Sequence, residues 1–134
     1  MLIIRPIQTK GEQAEACLKC GIEFHENDLA YAAYVDEVFT AMCQFTLNDE
    51  YGLIEHLVCA EGKDDFEALF IMGRQTMNFI DLCGVHQAEI LPTATTERLT
   101  IALGFKKNEQ GRYRIDMTGF FDAGGACQSK DKDK

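Results

Sequence analysis

Two adjacent residues, Glu55 and His56, carry side chains that can accept a proton at neutral pH. They lie in a largely apolar segment, residues 51–60, whose composition predicts a β-strand. Because successive side chains of a strand point to opposite faces of its sheet, we expect the two side chains on opposite sides. Each could serve as a general base, and each could equally be an ordinary polar strand residue.

Other residues with reactive side chains lie at turns or near the ends of predicted elements. Tyr113 and Tyr51 could donate protons, although a tyrosine beside a turn more often packs its ring and leaves its hydroxyl in water. We expect His25 and His86 to cap an element or face solvent. Arg74 could reach a phosphate, but a solvated helix face is the expected place for it.

Six cysteines are present, and Cys17 and Cys20 are the only close pair. A zinc site usually needs a second pair, which the sequence lacks, and a thioredoxin-type pair should follow a strand, whereas this one lies inside a predicted helix. Cys43, Cys59 and Cys83 lie in apolar segments, which is typical of free thiols. We therefore expect packing here, and we predict no metal site.

Composition excludes several classes of function. The 134 residues are 46% apolar, enough for one domain with a sizeable core. Thirteen basic and twenty-two acidic residues give a net charge of −9, which repels nucleic acid and attracts cations such as amines. The sequence has no run approaching the ~20 apolar residues of a membrane span and no signal-peptide pattern. We expect a cytoplasmic protein that binds neither nucleic acid nor membranes.

Hydrophobic periodicity predicts the order β-α-β-β-β-α-β-α-β-β over residues 1–121. The predicted strands cover residues 1–7, 29–35, 38–47, 51–60, 85–91, 105–108 and 112–121, and the predicted helices cover residues 11–25, 66–82 and 95–103. In the third strand the apolar face is predicted to comprise Phe39, Ala41, Cys43, Phe45 and Leu47. Residues 122–134 are rich in Gly, Ser, Lys and Asp, which predicts a disordered tail.

Three segments in this order resemble the GNAT N-acetyltransferase family. Residues 33–47 resemble its early hairpin, and Ile-Glu-His-Leu-Val-Cys-Ala at 54–60 resembles its central fourth strand. Leu-Thr-Ile-Ala-Leu-Gly-Phe at 99–105 resembles the Leu-Tyr-x-x-Leu-Gly-Phe end of its last helix. The resemblance implies one α/β domain, residues 1–121, with a mixed, mainly antiparallel sheet of six to seven strands and about three helices.

The resemblance implies acetyl-CoA as acyl donor, bound through a loop Arg/Gln-x-x-Gly-x-Gly/Ala at the front of a helix. Backbone amides and the helix dipole favour phosphate there. The matching residues are Lys63, Asp64, Asp65, Phe66 and Ala68. Lys63 and Ala68 keep the basic and small positions, whereas Phe66 replaces a glycine. The two aspartates would compete with phosphate for the amides, and the alternative is that they cap the helix.

The resemblance also implies catalytic roles on the fourth strand. Some family members use a carboxylate there as the base, which matches Glu55, with His56 as the alternative. The amides of Leu57 and Val58 match those that hold the acyl carbonyl and the pantetheine arm.

Two positions depart from the family pattern. Thr100 stands where the family often has a tyrosine acid, and a threonine hydroxyl is a poor proton donor. Thr93 similarly replaces a frequent asparagine. Tyr113 is our candidate proton donor, and Tyr51 is a further potential donor.

These features predict an acyl-CoA-dependent N-acetyltransferase acting on a small amine. One alternative is an inactive GNAT-like binding or regulatory protein that has lost CoA binding; another is a different ligand in the same cleft. A homodimer is compatible with each. All require the strand through Glu55 to part from its neighbour and open a slot between Ala60 and Val85.

Overall fold

The computed structural model describes residues 1–121 as a seven-stranded sheet with three helices. The strands are β1 (Leu2–Pro6), β2 (Leu29–Val35), β3 (Val38–Leu47), β4 (Gly52–Cys59), β5 (Gln87–Ile90), β6 (Lys106–Lys107) and β7 (Tyr113–Asp116). The helices are α1 (Lys10–Cys20), α2 (Phe66–Leu82) and α3 (Glu97–Leu103). The tail predicted for residues 122–134 lies outside the described residues.

The strand order across the sheet is β1-β2-β3-β4-β5-β7-β6. Neighbouring strands are antiparallel except β4 and β5, which run parallel on either side of α2 in the chain. The predicted mixed, mainly antiparallel α/β fold is therefore confirmed. Among the helices of residues 1–121, none has the length and apolar character needed to cross a membrane.

The two faces of the sheet bury two separate apolar clusters. The larger cluster packs beneath α2 and α3, and its fully buried members include Phe45, Ile54, Leu57, Met72 and Leu103. The smaller cluster packs beneath α1 and is formed by Ala16, Cys17, Cys20, Ala30 and Met42. As predicted, Cys17 and Cys20 lie inside a helix, and both are buried in this second cluster. Cys83, which was expected in an apolar setting, is exposed.

Helix α1 ends five residues earlier than predicted. Gly21 adopts a left-handed backbone with φ 69°, and its N–H donates to the carbonyls of Cys17 and Leu18. Glycine tolerates this conformation, so it terminates the helix and turns the chain. Residues 22–28 consequently form an irregular segment that leads back to β2, and His25 belongs to that segment rather than to a helix.

The last strand is also shorter than predicted. Strand β7 ends at Asp116, because the Asp116 carboxylate accepts from the Thr118 N–H at 2.9 Å and Gly119 turns the chain with φ 72°. Short side-chain bonds of this kind favour turns over strand continuation.

A β-bulge in β3 changes the face to which one aromatic residue belongs. Ala33 pairs with Ala41 but Tyr34 pairs with Phe39, which leaves Thr40 as an extra residue. An extra residue interrupts the alternation of side chains. Phe39 therefore packs with the cluster under α1, and its predicted place on the face of Ala41 is wrong.

Gly52 provides a test of how closely α2 packs on β4. A Cβ at Gly52 would lie 2.5 Å from Ile80 Cδ1, and Ile80 is fully buried. We expect Gly52→Ala to lower the free energy of unfolding by about 1–3 kcal/mol in urea denaturation, since overpacking strains a core. Gly11→Ala in α1 is the control: nothing lies within 4 Å of its Cβ, so stability should not fall. Full stability of Gly52→Ala would contradict this packing.

Candidate functional site

A β-bulge in β4 brings Glu55 and His56 to the same face of the sheet. Gln44 of β3 pairs with His56 and Phe45 pairs with Ile54, so Glu55 is the extra residue. Both side chains then point toward the segment after α1: Glu55 contacts His25, and the rings of His25 and His56 lie 5.3 Å apart. The expectation of opposite faces is wrong because the bulge interrupts the alternation.

Glu55 belongs to a cluster with His25 and Asp28. The Glu55 carboxylate contacts His25 Nδ1, which lies 3.3 Å from Asp28 Oδ2. Asp28 is only 4% exposed. Lys10 donates to the Asp28 backbone carbonyl at 2.6 Å rather than to its carboxylate. Within residues 1–121 no lysine or arginine forms an ion pair with either carboxylate, so His25 supplies the positive charge of this cluster.

His25 and Asp28 were not predicted to lie beside Glu55. His25 was expected to cap an element or face solvent, but the early end of α1 returns residues 22–28 across the sheet to β4. The spacing of His25 and Asp28, three residues apart, was the available signal. These two residues and Glu55 each present one potential ligand atom within 4.8 Å of the others. In this structure His25 lies within hydrogen-bonding reach of both carboxylates.

Burial and neighbouring charges shift the pKa values of this cluster. Burial, and then the nearby Glu55 carboxylate, raise the pKa of Asp28 to about 6. Burial alone would lower the pKa of His25, but its contacts with Glu55 and Asp28 outweigh this and raise it. Burial and then the charge of His25 lower the pKa of His56. The two histidines are thus driven in opposite directions, with His25 favouring the charged form and His56 the neutral one.

Strand β4 separates from β5 immediately beside this cluster. Their pairing ends at Ile54 and Ile90, after which Ala94, in the loop of residues 91–96, lies across from Leu57. The opening is a cleft of about 500 Å³ between β4, this loop and the front of α2. Its lining includes Leu57, Val58, Cys59, Lys63, Asp64 and Thr93. The slot that the sequence analysis required is present.

The backbone amides of β4 face alternately toward β3 and toward the cleft. The Leu57 N–H donates to the Ala94 carbonyl across the gap at 2.9 Å, so it is already occupied. Val58, one residue on, directs its amide toward β3, and Cys59 directs its amide to the cleft side again. Of the two predicted amides, one is bonded and the other faces away, and the amide of Cys59 was missed. Which amides of β4 face the cleft depends on the hydrogen bonds between β3 and β4, so the sequence alone does not reveal it.

The front of α2 is capped by Asp65. Its carboxylate accepts from the Ala68 N–H at 3.0 Å, while its own N–H donates to Cys59 Sγ at 3.4 Å. The prediction that Asp64 or Asp65 caps this helix is therefore confirmed for Asp65. Phe66 carries the Arg98 guanidinium over its ring at 4.0 Å. Lys63 and Asp64 both line the cleft.

Tyr113 and Thr100 lie away from the Glu55 cluster. Tyr113 packs in the cluster beneath α2, on the opposite face of the sheet, and its hydroxyl donates to Glu97 Oε2 at 2.7 Å. That hydrogen bond raises the pKa of Tyr113. The buried Thr100 hydroxyl donates to the Thr96 carbonyl at 3.1 Å. The geometry thus separates the predicted proton donor Tyr113 from the predicted base.

Several solved structures that share this arrangement of strands and helices are N-acetyltransferases. The ribosomal-protein-S18-alanine N-acetyltransferase from Escherichia coli matches 87% of this chain and 94% of its own, with TM-score 0.66 and 10% identity. The PaiA N-acetyltransferase from Thermoplasma acidophilum, in complex with coenzyme A, matches 85% and 96%, with TM-score 0.63 and 8% identity. The chain has the GNAT acetyltransferase fold.

A further structure shares this fold at TM-score 0.65 and 11% identity. It is that of N-acetylglutamate synthase from Neisseria gonorrhoeae, complexed with coenzyme A and N-acetyl-glutamate. This chain covers 34% of that larger protein, and 85% of this chain is matched. No family model matches the sequence, and no curated protein matches it either.

Some features of this cleft favour the binding of acetyl-CoA, and others oppose it. Its volume and the free side of β4 at Cys59 suit an extended thioester arm. At the front of α2, Lys63 and Arg98 offer positive charge, and the helix dipole adds to it. Asp64 opposes them, and Asp65 already occupies the amide of Ala68. The cleft therefore fits the thioester arm. The phosphates would be bound by two cations, Lys63 and Arg98, rather than by a glycine-rich loop.

The raised pKa of Asp28 predicts how the stability of the protein depends on pH. With a folded pKa of about 6 and an unfolded value near 3.8, the folded state binds more protons between these pH values. The free energy of unfolding therefore falls as pH rises through this window, by at most about 1.4 kcal/mol per pH unit. His25, whose pKa is also raised, acts in the same direction at higher pH.

Asp28→Asn should flatten this slope in urea denaturation between pH 4 and 6. The exposed Asp49→Asn serves as the control and should keep the wild-type slope. The same slope in wild type and Asp28→Asn would mean that Asp28 holds no such proton.

Proposed function

We propose that this protein transfers an acetyl group from acetyl-CoA to a small amine. The observation that carries the proposal is the bulged β4, in which Glu55 faces His25 and Asp28 while the Cys59 amide faces the adjoining cleft. A proton acceptor and a donor for a carbonyl oxygen thus lie on one short stretch of strand. Amine acylation needs both groups in such an arrangement.

The residues have distinct tasks in this reaction. Acetyl-CoA, when bound, supplies a thioester carbonyl that an amine can attack. Glu55 accepts a proton from the incoming amine, and His25, in contact with Glu55 and Asp28, stabilises the charge and shares that proton. The Cys59 N–H donates to the carbonyl oxygen as negative charge develops there. A C–N bond forms, the C–S bond breaks, and the thiolate takes up a proton from solvent.

The charge of the site favours a cationic acceptor. Two carboxylates without a lysine or arginine partner among residues 1–121 attract an ammonium group, and the whole chain carries −9. Glu55 is 15% exposed through its side chain and His25 is 33% exposed, so a small amine can reach both. These features support a small amine as the acceptor.

A second function is supported by the front of α2. Because Asp65 caps Ala68 and Asp64 lines the cleft, carboxylates lie where a phosphate would bind. If they exclude CoA, the domain serves as a binding or regulatory protein without acyl transfer. The two functions predict different responses to acetyl-CoA.

The first experiment measures whether acetyl-CoA raises the melting temperature. At 100 times its Kd a ligand stabilises the folded state by about 2.7 kcal/mol, which is readily detected. A shift with acetyl-CoA supports the transferase; no shift at millimolar concentration favours the binding protein. Thiol release is then followed with a panel of primary amines.

The second part of the experiment compares Glu55→Gln with Glu109→Gln, an exposed carboxylate in a turn. Loss of a positioned base typically costs about 10²- to 10⁴-fold, so we expect kcat for Glu55→Gln to fall by that factor at unchanged acetyl-CoA affinity. Glu109→Gln should match wild type. Full turnover by Glu55→Gln would show that another group takes the proton.

A further inference from the structure

Gln44 is fully buried in the middle of β3, and its side-chain amide binds groups from three parts of the chain. Its Nε2 donates to the Glu23 carbonyl at 3.0 Å and to His56 Nδ1 at 2.9 Å. A backbone carbonyl can only accept, so the group that faces Glu23 must be the NH₂ end of the amide.

The other end of the Gln44 amide confirms this orientation. Gln44 Oε1 accepts from the backbone N–H of His25 at 3.1 Å, from Gln13 Nε2 at 2.9 Å and from the Cys17 thiol at 3.4 Å. A backbone N–H can only donate, so this end must be the carbonyl oxygen. The flip of the Gln44 amide is therefore determined by its backbone partners at both ends.

The orientation of the Gln44 amide determines which ring nitrogen of His56 carries the proton. Because Gln44 presents an N–H to Nδ1 of His56, that nitrogen must offer its lone pair. A neutral imidazole that accepts at Nδ1 carries its proton on Nε2. Within residues 1–121, Nε2 of His56 makes no hydrogen bond, so this N–H is available to a ligand.

We infer that Gln44 is a positioning residue that holds His56 as the neutral Nε2–H tautomer, which makes His56 a hydrogen-bond donor and not a base. The part that His56 takes in the reaction rests on the proposed function, in which Glu55 accepts the proton of the amine and His25 shares it. His56 then donates to an acceptor atom of the bound substrates. The two neighbouring histidines thereby take different tasks.

The surroundings of His56 support the neutral form. The charged or titratable groups that face it are His25 from the segment after α1, Glu55 from β4 and Glu23. Burial and the charge of His25 lower the pKa of His56, and the two glutamates oppose this only in part. Gln44 adds no charge, so it selects a tautomer without favouring the imidazolium.

The test is the tautomer of His56 in the protein without ligands, read from ¹⁵N shifts of the ring nitrogens in long-range ¹H–¹⁵N spectra near pH 8. In wild type we expect Nε2 to be protonated and Nδ1 not. Gln44→Met keeps the volume but removes the donor; a hydrogen bond worth about 1 kcal/mol changes a tautomer ratio roughly fivefold. We therefore expect a mixed population in that variant.

Gln13→Met is the matched control. Gln13 is also buried and bonds the same Gln44, yet among residues 1–121 its side-chain hydrogen bonds go to Lys10, His25 and Gln44 and not to His56. Both variants should lose stability, but Gln13→Met should retain the Nε2–H tautomer. A purely structural role for Gln44 would give equal effects in both variants.

A wild-type His56 protonated on Nδ1 would overturn the inference, even if Gln44→Met fails to fold. An unchanged tautomer in folded Gln44→Met would overturn it as well. Because the spectra need neither acetyl-CoA nor an amine, they test the tautomer of His56 separately from the proposed function. If wild type is active, Gln44→Met should lower kcat.

Discussion

The extra residue that β4 accommodates at Glu55 determines where the polar groups of this domain meet. Without a bulge, Glu55 and His56 would point to opposite faces, and one of them would enter the apolar cluster beneath α2. With the bulge, both face the segment after α1, where His25 and Asp28 lie. The stretch of β4 that follows then directs the Cys59 amide into the opening beside β5.

A buried polar network holds this arrangement in place. Gln13, Asp28 and Gln44 are each at most 4% exposed, yet their polar atoms find partners. A satisfied bond contributes only about 1 kcal/mol, whereas a buried group without a partner costs about 1–3 kcal/mol. Alternative arrangements of α1 and the following segment are therefore penalised, which defines the positions of both histidines.

The amides at the front of α2 that stabilise the helix are the ones for which a phosphate would compete. Asp65 stabilises the helix by accepting from Ala68, and a bound phosphate would need amides of the same turn. Lys63 and Arg98 flank this turn, the latter supported by Phe66. The balance between these cations and the aspartates decides how the proposed donor binds, and it distinguishes this domain from the glycine-rich pattern of the family it resembles.

Local signals predicted most of the fold. The tight turn at Asp36 and Glu37, both with positive φ, bounds β2 and β3 where expected, and Gly104 ends α3 as predicted. The helix α2 also begins and ends as its periodicity predicts.

The site was predicted less completely, because its geometry depends on contacts between distant residues. Glu55 was predicted as a candidate base and stays a candidate, but the bulge that turns it toward His25 depends on how β3 pairs with β4, which no local pattern encodes. For the same reason His25 was placed in a helix, and the amides of Leu57 and Val58, rather than that of Cys59, were matched to those that hold the acyl carbonyl and the pantetheine arm.

The most direct test of the bulge is a nuclear Overhauser measurement on the His56 ring. The account predicts cross-peaks from its ring protons to the ring of His25 and to the side-chain amide of Gln44. Cross-peaks to the methyl groups of Met72 or Met77 in α2, with none to His25, would place His56 on the other face of the sheet and contradict the account.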